Sequence, residues 1–315
     1  MLNRRHLRIK VLQSLYGFYQ SEGTELKEME KQMLQSLERI YDLYLYFLLT
    51  FSELQREAEF RFVENKKKLR PTEEDLNPNK KWIDNAVIQI LERNSELRSS
   101  SKKRKVNWIG DDHREMFRKM YAQMRKSETF YAYMNNGETG FEEDKAFAIS
   151  IFKEEIANSS LIHDFLEDKS IHWVDDIDLV CSMVIKTLKT FQKDKKSRIL
   201  PLYKDKDDEL EFVTQLLIMT VNYDKDNELI IDELTSNWEL DRIAKMDIIL
   251  MKMAITELQI FSNIPTKVTL NEYIEISKFY STPKSNGFIN GVLDKGITRL
   301  EKEGKIKKEG RGLKN

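Results

Sequence analysis

Residues that break helices are scarce in this chain, which contains only 11 Gly and 5 Pro in 315 residues. A β-rich fold of this length needs many tight turns, and such turns normally use Gly and Pro. Apolar residues make up 40% of the sequence, enough to bury a sizeable core. The sequence therefore predicts an all-α protein with one large or two ordinary helical domains.

The overall charge is nearly balanced, with 52 Lys and Arg against 53 Asp and Glu. Net charge therefore says nothing about a nucleic-acid partner, which only local clusters can indicate. The single Cys181 excludes an internal disulfide and a multi-cysteine zinc site, consistent with a reducing cytosol. Charged residues interrupt every run that could form a signal peptide, and no apolar run is long enough to span a bilayer. We expect a cytoplasmic protein.

Helical periodicity predicts a long N-terminal region over residues 1–205. Its predicted helices cover residues 3–20, 26–69, 82–91, 112–134, 142–157 and 175–192. Pro71 and Pro78 mark a loop. Residues 99–105, SSSKKRK, are polar and basic, so we predict an exposed connection there.

The C-terminal region is predicted as a second helical domain over residues 206–302. Its predicted helices cover residues 208–222, 240–261, 268–280 and 284–302. Pro265 breaks the chain after the second of these helices, and Pro283 lies at the start of the last. Residues 303–315 are predicted to be a basic flexible tail.

Motifs for enzymatic chemistry are absent from the sequence: it has no glycine-rich phosphate loop, HExxH, GxSxG or paired CxxC. The DKDNE run at 224–228 lacks the Gly and the bidentate Glu that a calcium loop requires. His163 and His172 lie too far apart for a familiar metal-ligand spacing. We predict no catalytic residue, no metal and no cofactor.

The opening helix carries Arg4, Arg5, Arg8 and Lys10, whereas the first acidic residue of the chain is Glu22. Cations near a helix N-terminus oppose the macrodipole and cost roughly a few tenths of a kcal/mol each. Two explanations remain open. Either these side chains pair with acids elsewhere in the fold, or they bind an external polyanion such as the phosphate backbone of RNA.

Three further residues are candidates for contacts with a partner. Tyr16 and Tyr19 follow the basic residues of the opening helix and are either core aromatics or partner contacts, with the core as the default. Asp247 lies on the apolar stripe of the helix predicted over 240–261. Because a buried unpaired carboxylate is costly, we expect Asp247 either at an exposed edge or paired with a cation, for instance from a partner.

The last predicted helix contains Gly287, Gly291 and Gly296. Each glycine inside a helix costs about 1 kcal/mol relative to alanine. Close approach of a neighbouring helix would offset that cost, so we expect tight packing at these positions.

Three consecutive segments resemble the C-terminal half of the NusB family: NWELDRIAKMDIILMKMAITELQIF at 237–261, NIPTKVTLNEYIEISKFY at 263–280 and FINGVLDK at 288–295. The family combines an Ile-Pro-x-Lys-Val turn, an Asn-Glu pair and a Phe-x-Asn-Gly-Val-Leu-Asp helix. RRHLRIKVLQSLY at 4–16 is similar to the family's arginine-rich opening helix. Residues 23–205 have no clear counterpart in shorter members and are interpreted as a large helical insertion or an elaborated N-terminal subdomain.

The resemblance implies NusB-like helical bundles and a role in transcription antitermination. Family members bind the boxA element of nascent ribosomal RNA operons together with NusE, a small-subunit ribosomal protein, and support assembly of a complex on RNA polymerase. By this resemblance Arg4, Arg5 and Arg8 match RNA-binding arginines, and Lys10 adds to their charge. Tyr16 and Asp247 fall where family members contact NusE.

The sequence departs from the family pattern at two places. Ile9 stands where the family commonly has Glu, and PKSNGF at 283–288 replaces an acidic Asp-Ser-His-Lys-Phe segment. Lys284 therefore lies near an expected acid. We expect Lys284 to add a contact to RNA phosphate.

Two alternative functions remain open. The first is the RNA-binding part of a ribosomal RNA cytosine methyltransferase, which requires a glycine-rich cofactor domain and a catalytic Cys. Neither is visible, because Cys181 lies in a helical pattern and only the predicted tail follows residue 302. The second is a protein-interaction scaffold that has lost RNA binding, which nothing in the sequence excludes.

Overall fold

The computed structural model describes residues 1–21, 23–235 and 243–309, apart from the side chains of residues 171 and 172. These residues form fifteen α-helices, one π-helical turn and one 3-10 helix, with no β-strand among them. The prediction of an all-α fold is confirmed. Within the same residues, no helix is both long and apolar enough to cross a membrane.

The chain divides into two compact units. Unit 1 consists of Met1 and Glu38–Leu202, whereas unit 2 consists of Leu2–Leu37 and the chain from Tyr203 onwards. The sequence placed the whole of residues 1–205 in one N-terminal region. The structure differs because helix α1 (Arg4–Gln20) buries its apolar stripe, which includes Leu7, Val11 and Leu15, inside unit 2.

Unit 1 is a bundle of short helices that follows one long helix, α2. The helices are α2 (Leu26–Lys66, of which unit 1 contains the part from Glu38), α3 (Glu73–Leu76), α4 (Ala86–Arg93), α5 (Ser95–Arg104), α6 (Asp111–Met124), α7 (Glu128–Asn135), α8 (Phe141–Ile151), α9 (Ser160–Lys169) and α10 (Ile177–Thr190). A π-helical turn (Phe152–Ile156) follows α8, and a 3-10 helix (Ile171–Asp176) precedes α10. The core of unit 1 is rich in aromatic rings. Phe152, for instance, packs on Phe47 and Phe51 of α2.

The basic segment 99–105 is helical, so the prediction of an exposed connection there is wrong. It forms most of α5, whose N-cap Asn94 accepts a hydrogen bond from the backbone N–H of Leu97. Leu97 is buried and anchors the helix to unit 1. The helix ends at Lys105, which adopts a left-handed conformation with φ of 57°. A cap and one apolar anchor therefore suffice where the composition suggested a loop.

Two other parts of unit 1 differ from the periodicity. The predicted helix 112–134 is divided into α6 and α7, because the Ser127 side chain caps α7 by accepting from the backbone N–H of Phe130. The helix α9 was not predicted, since its start at Ser160 was interpreted as a break.

Unit 2 is built around one central helix. Its helices are α1, the first part of α2, α11 (Lys206–Asn222), α12 (Asp224–Leu234), α13 (Lys245–Ile260), α14 (Thr266–Tyr280) and α15 (Ser285–Lys302). Helix α13 packs against α1, α11, α12, α14 and α15, and its residues from Ile249 to Leu258 are all buried. The sequence predicted this helix from residue 240, but residues 240–242 lie outside the described residues.

The three glycines of α15 have different surroundings. A Cβ at Gly296 would lie 3.3 Å from Cδ1 of Leu234, so the prediction of tight packing is confirmed there. Gly287 and Gly291 are exposed, and a Cβ at either position would meet nothing within 4 Å. The prediction is wrong for these two, which lie on the outer face of the helix.

Candidate nucleic-acid interface

Arg8 is the most deeply buried cation of the opening helix, with 1% of the residue exposed. Its Nε and Nη2 donate to the two carboxylate oxygens of Glu257 on α13, both at 2.7 Å. A planar guanidinium matches a carboxylate in this two-point geometry, which is stronger than a single hydrogen bond. This ion pair fastens α1 to the central helix of unit 2.

The remaining acceptor capacity of Glu257 is also used within the fold. Thr269 Oγ1 donates to it at 2.8 Å and Tyr273 OH at 3.0 Å, both from α14. Burial, together with the neighbouring carboxylate, raises the pKa of Tyr273 well above its usual value. A fully buried charge is tolerated when it is paired and hydrogen-bonded in this way.

Arg5 forms a second two-point ion pair nearer the surface. Its Nε and Nη2 each donate to Glu272 of α14 at 2.9 Å. These hydrogen bonds raise the pKa of Arg5 and lower the pKa of Glu272. The Arg5 side chain remains 40% exposed, and two of its five N–H groups are used by Glu272. An external phosphate can therefore still reach the outer edge of this guanidinium.

Arg4 pairs with the first turn of α11. Its Nη2 donates to Asp208 at 2.6 Å, and its guanidinium carbon lies 4.2 Å from the centre of the Phe212 ring. The side chain is 34% exposed. Lys10, by contrast, is buried, with 4% of the residue exposed.

Three of the cations fit the first of the two explanations left open by the sequence, pairing with acids elsewhere in the fold, while the exposed edges of Arg4 and Arg5 leave the second open for these two. Arg4, Arg5 and Arg8 each pair with a carboxylate from a distant part of unit 2. The acids come from helices that lie more than two hundred residues away in the chain, so the sequence alone did not show these pairs. The sequence shows Glu257 as a charged residue in an apolar helix, but it does not show that Arg8 is its partner.

His6 lies next to Arg5 in the opening helix and is partly buried. Burial, then the terminal amino group and Arg5, lowers the pKa of His6 to about 4. Its Nδ1 has no hydrogen-bond partner among the described residues. The imidazole is therefore neutral near pH 7.

Lys284 and Phe279 lie at the corner where α14 meets α15, and both are exposed. Lys284 precedes the first residue of α15, and Phe279 of α14 is 80% exposed. Surfaces that bind single-stranded nucleic acid combine cations for phosphates with aromatic rings for bases, and this corner of the fold exposes one of each. The sequence identified Lys284 but missed Phe279, because helical periodicity cannot tell an exposed aromatic from a buried one.

Asp247 is buried and satisfied within the chain, so both expectations for it are wrong. Ser281 Oγ donates to Oδ1 of Asp247, and Ser285 Oγ donates to Oδ2 at 2.6 Å. Only 4% of the residue is exposed. Instead of a cation, two hydroxyl groups hold the carboxylate, which thereby fixes the turn between α14 and α15.

The two tyrosines of α1 have separate environments. Tyr16 is 40% exposed, so the default expectation of a core position is wrong for it. Tyr19 is half-buried, and its hydroxyl donates to Asp224 at 2.5 Å. Asp224 and Glu228 also accept from Lys252 Nζ, at 2.8 and 2.7 Å. Two of the three acids of the DKDNE run therefore pair with a buried lysine.

Comparison with known proteins identifies the region that contains most of these side chains. The sequence profile of the NusB family matches residues 177–298. This part of the chain is similar to the NusB family. The matched residues include Glu257, Glu272, Asp247 and Lys284, whereas α1 precedes them.

Three curated relatives are similar to part of the chain. The chain is 43% identical to a transcription antitermination protein NusB of Salinibacter ruber over 103 residues, which are 33% of this chain and 64% of that protein. The protein of the same name from Chloroherpeton thalassium is 39% identical over 103 residues, 33% of this chain and 49% of that protein. The one from Natranaerobius thermophilus is 42% identical over 72 residues, 23% of this chain and 52% of that protein.

The chain therefore spans between 49% and 64% of the length of these NusB relatives. No solved structure matches it. Most of unit 1 precedes the NusB match, which begins at residue 177, within α10.

Proposed function

We propose that this chain is an antitermination factor that binds boxA-type single-stranded RNA together with NusE and supports assembly of a complex on RNA polymerase. The observation that carries the proposal is the NusB match over residues 177–298, with relatives named as transcription antitermination proteins. We assign it no reaction of its own. The role is that of an adaptor.

The RNA contacts are proposed at the exposed cations of unit 2. Arg4 and Arg5 keep exposed outer edges, and Lys284 and Phe279 are both exposed. Their cations would bind phosphate, while the ring would stack on a base. Together these residues provide both parts of a single-strand interface.

Arg8 and Lys10 support this interface from inside the fold. Both are buried, so neither meets a phosphate directly in this conformation. Arg8 contributes by holding α1 on α13 through Glu257, which fixes the direction of Arg4 and Arg5. Replacing Arg8 should weaken RNA binding through the position of α1.

The NusE contacts are proposed at Tyr16 and, indirectly, at Asp247. The ring of Tyr16 is exposed, and so is the neighbouring Gly17, where a Cβ would meet nothing within 4 Å. An exposed tyrosine supplies large contact area at a low cost in side-chain entropy. Asp247 contributes by holding Ser281 and Ser285 at the turn before α15.

One observation favours a second function, a protein-interaction scaffold without RNA binding. The charges of Arg4, Arg5 and Arg8 are neutralised inside the chain, which reduces the field available to attract RNA. A gel shift with boxA RNA, in the presence and absence of NusE, distinguishes the two functions. A shifted band in either case supports the antitermination factor, and no shift in both cases supports the scaffold.

A further inference from the structure

A basic cavity lies in unit 1, whereas the candidate interface described above lies in unit 2. Its volume is about 430 Å³, and four cations line it: Arg93 at the end of α4, and Lys193, Lys195 and Lys196 in the segment after α10. One carboxylate, that of Asp194, shares the lining with them. The cavity therefore has a clear excess of positive charge.

The side chains of all four cations are exposed. Within the described part of the chain, none of their side chains takes part in an ion pair or a hydrogen bond, in contrast to Arg4, Arg5 and Arg8. Nearby Arg104 is a further contrast, since it pairs with Glu38 and Asp42. The charges at the cavity thus have no structural partner to explain them.

Two contacts hold the basic segment against the start of α5. Asn94 Nδ2 donates to the carbonyl oxygen of Ser197 at 2.9 Å, and the backbone N–H of Ile199 donates to Glu96 at 3.2 Å. Asn94 and Ser95, at the N-terminus of this ten-residue helix, line the cavity. The helix dipole adds to the positive potential there and favours an anion.

The positive charge extends beyond the cavity along α5. Residues 92–105 and 193–198 contain nine Lys and Arg besides Arg104, against only three Asp and Glu, in a chain whose net charge is −1. Among them Arg98, Lys102, Lys103 and Lys105 are exposed. A strip of charge longer than one cavity suits a repeating polyanion better than a single small anion.

An aromatic ring completes the lining. Phe141, the first residue of α8, lies in the cavity wall and is half-buried. Binding sites for single-stranded nucleic acid combine a positively charged groove with aromatic rings on which bases stack. The cavity contains both features.

We propose that this cavity of unit 1 binds the phosphate backbone of single-stranded RNA and extends the RNA footprint beyond the NusB domain. The inference rests on the proposed function, because it assumes that RNA is the partner of the chain. Arg93, Lys193, Lys195 and Lys196 bind phosphates, and Phe141 offers a stacking surface. The basic face of α5 guides the continuing strand.

The experiment measures binding of a short fluorescent RNA containing boxA to the full chain by anisotropy over a series of salt concentrations. The test variant replaces Arg93, Lys193, Lys195 and Lys196 with Gln. Each phosphate contact on a single strand contributes about 0.7 to the slope of log K against log salt. We expect the slope of the test variant to be smaller by about 3, with weaker binding at low salt.

A matched control variant separates a local effect from a general loss of charge. It replaces one arginine and three lysines of unit 1 that are exposed and lie outside the cavity lining: Lys80→Gln, Arg125→Gln, Lys126→Gln and Lys153→Gln. Circular dichroism confirms that both variants are folded. A scrambled RNA of equal length is titrated in parallel.

The outcomes distinguish this inference from the proposed function. Suppose that wild type binds boxA RNA. If the test variant keeps the same slope, or if the slope of the control decreases as much as that of the test variant, the cavity is not an RNA site although the proposed function stands. If wild type prefers neither RNA but only the test variant loses affinity for both, the cavity is confirmed and boxA recognition fails. If wild type binds no RNA, both are wrong.

Discussion

Arg8 and Glu257 form a buried two-point ion pair that joins the first helix of unit 2 to its central helix, with both donor–acceptor distances at 2.7 Å. Thr269 and Tyr273 supply further hydrogen bonds to the same carboxylate. An arginine expected on the surface is therefore a structural element of the core. Because Arg8 lies on the same helix as Arg4 and Arg5, its ion pair both stabilises unit 2 and positions these two cations.

Replacing Arg8 with Ala should strongly destabilise the fold. The change leaves the Glu257 charge buried without its partner, and breaking such pairs typically costs about 3–5 kcal/mol. Urea unfolding followed by circular dichroism measures the loss. The double variant Arg8→Met with Glu257→Gln removes both charges, keeps an acceptor for Thr269 and Tyr273, and should recover part of the stability. If Arg8→Ala alone is as stable as wild type, the ion pair contributes little to the free energy of unfolding.

Arg5 should contribute more to RNA affinity than to stability. Its ion pair with Glu272 is partly exposed, and such pairs are usually worth less than about 1 kcal/mol. We expect Arg5→Ala to weaken RNA binding with little change in unfolding free energy. Glu272→Gln releases Arg5 from its internal partner and should strengthen binding. If both variants bind RNA as wild type does at the same salt concentration, Arg5 is structural only.

Lys284 should contribute to the salt dependence of RNA binding. The side chain is exposed next to α15, so it can meet a phosphate without rearrangement. Lys284→Asp should reduce the slope of log K against log salt by about 0.7, the value for one lost phosphate contact on a single strand. An unchanged slope would remove Lys284 from the interface.

His6 should make the stability of unit 2 sensitive to mild acid. Its pKa is about 4 in the folded chain, below the usual 6.5, so the unfolded chain binds the proton first. The stability that depends on a neutral His6 is fully present above pH 6.5 and is lost as the pH falls towards 4. The free energy of unfolding then decreases by as much as about 3 kcal/mol. His6→Gln should flatten the dependence of the unfolding free energy on pH in this range. Equal curves for the variant and wild type would contradict the shift.

The all-α fold and most helix positions could be predicted because they depend on local information. Apolar periodicity and the positions of Pro265 and Pro283 predicted α13, α14 and α15 to within a few residues, apart from the start of α13. The same local information failed at α5, where a cap outweighed a polar composition.

The pairing of the arginines could not be predicted because it depends on tertiary contacts. Arg4 and Asp208 lie far apart in the sequence, and nothing in either segment identifies the other. Asp247 shows the same limit, since its partners are two serines with no distinctive pattern. Family resemblance predicted which residues contact RNA and NusE, whereas only the fold shows whether those side chains are exposed.

The central claim is that the chain recognises boxA RNA in cooperation with NusE, and competition binding tests it most directly. Labelled boxA RNA is titrated with the full chain at fixed salt, with and without NusE, and then displaced with unlabelled boxA or scrambled RNA. We predict preferential displacement by boxA and an affinity that NusE increases about five-fold or more. Equal displacement by both RNAs together with no effect of NusE would contradict the account.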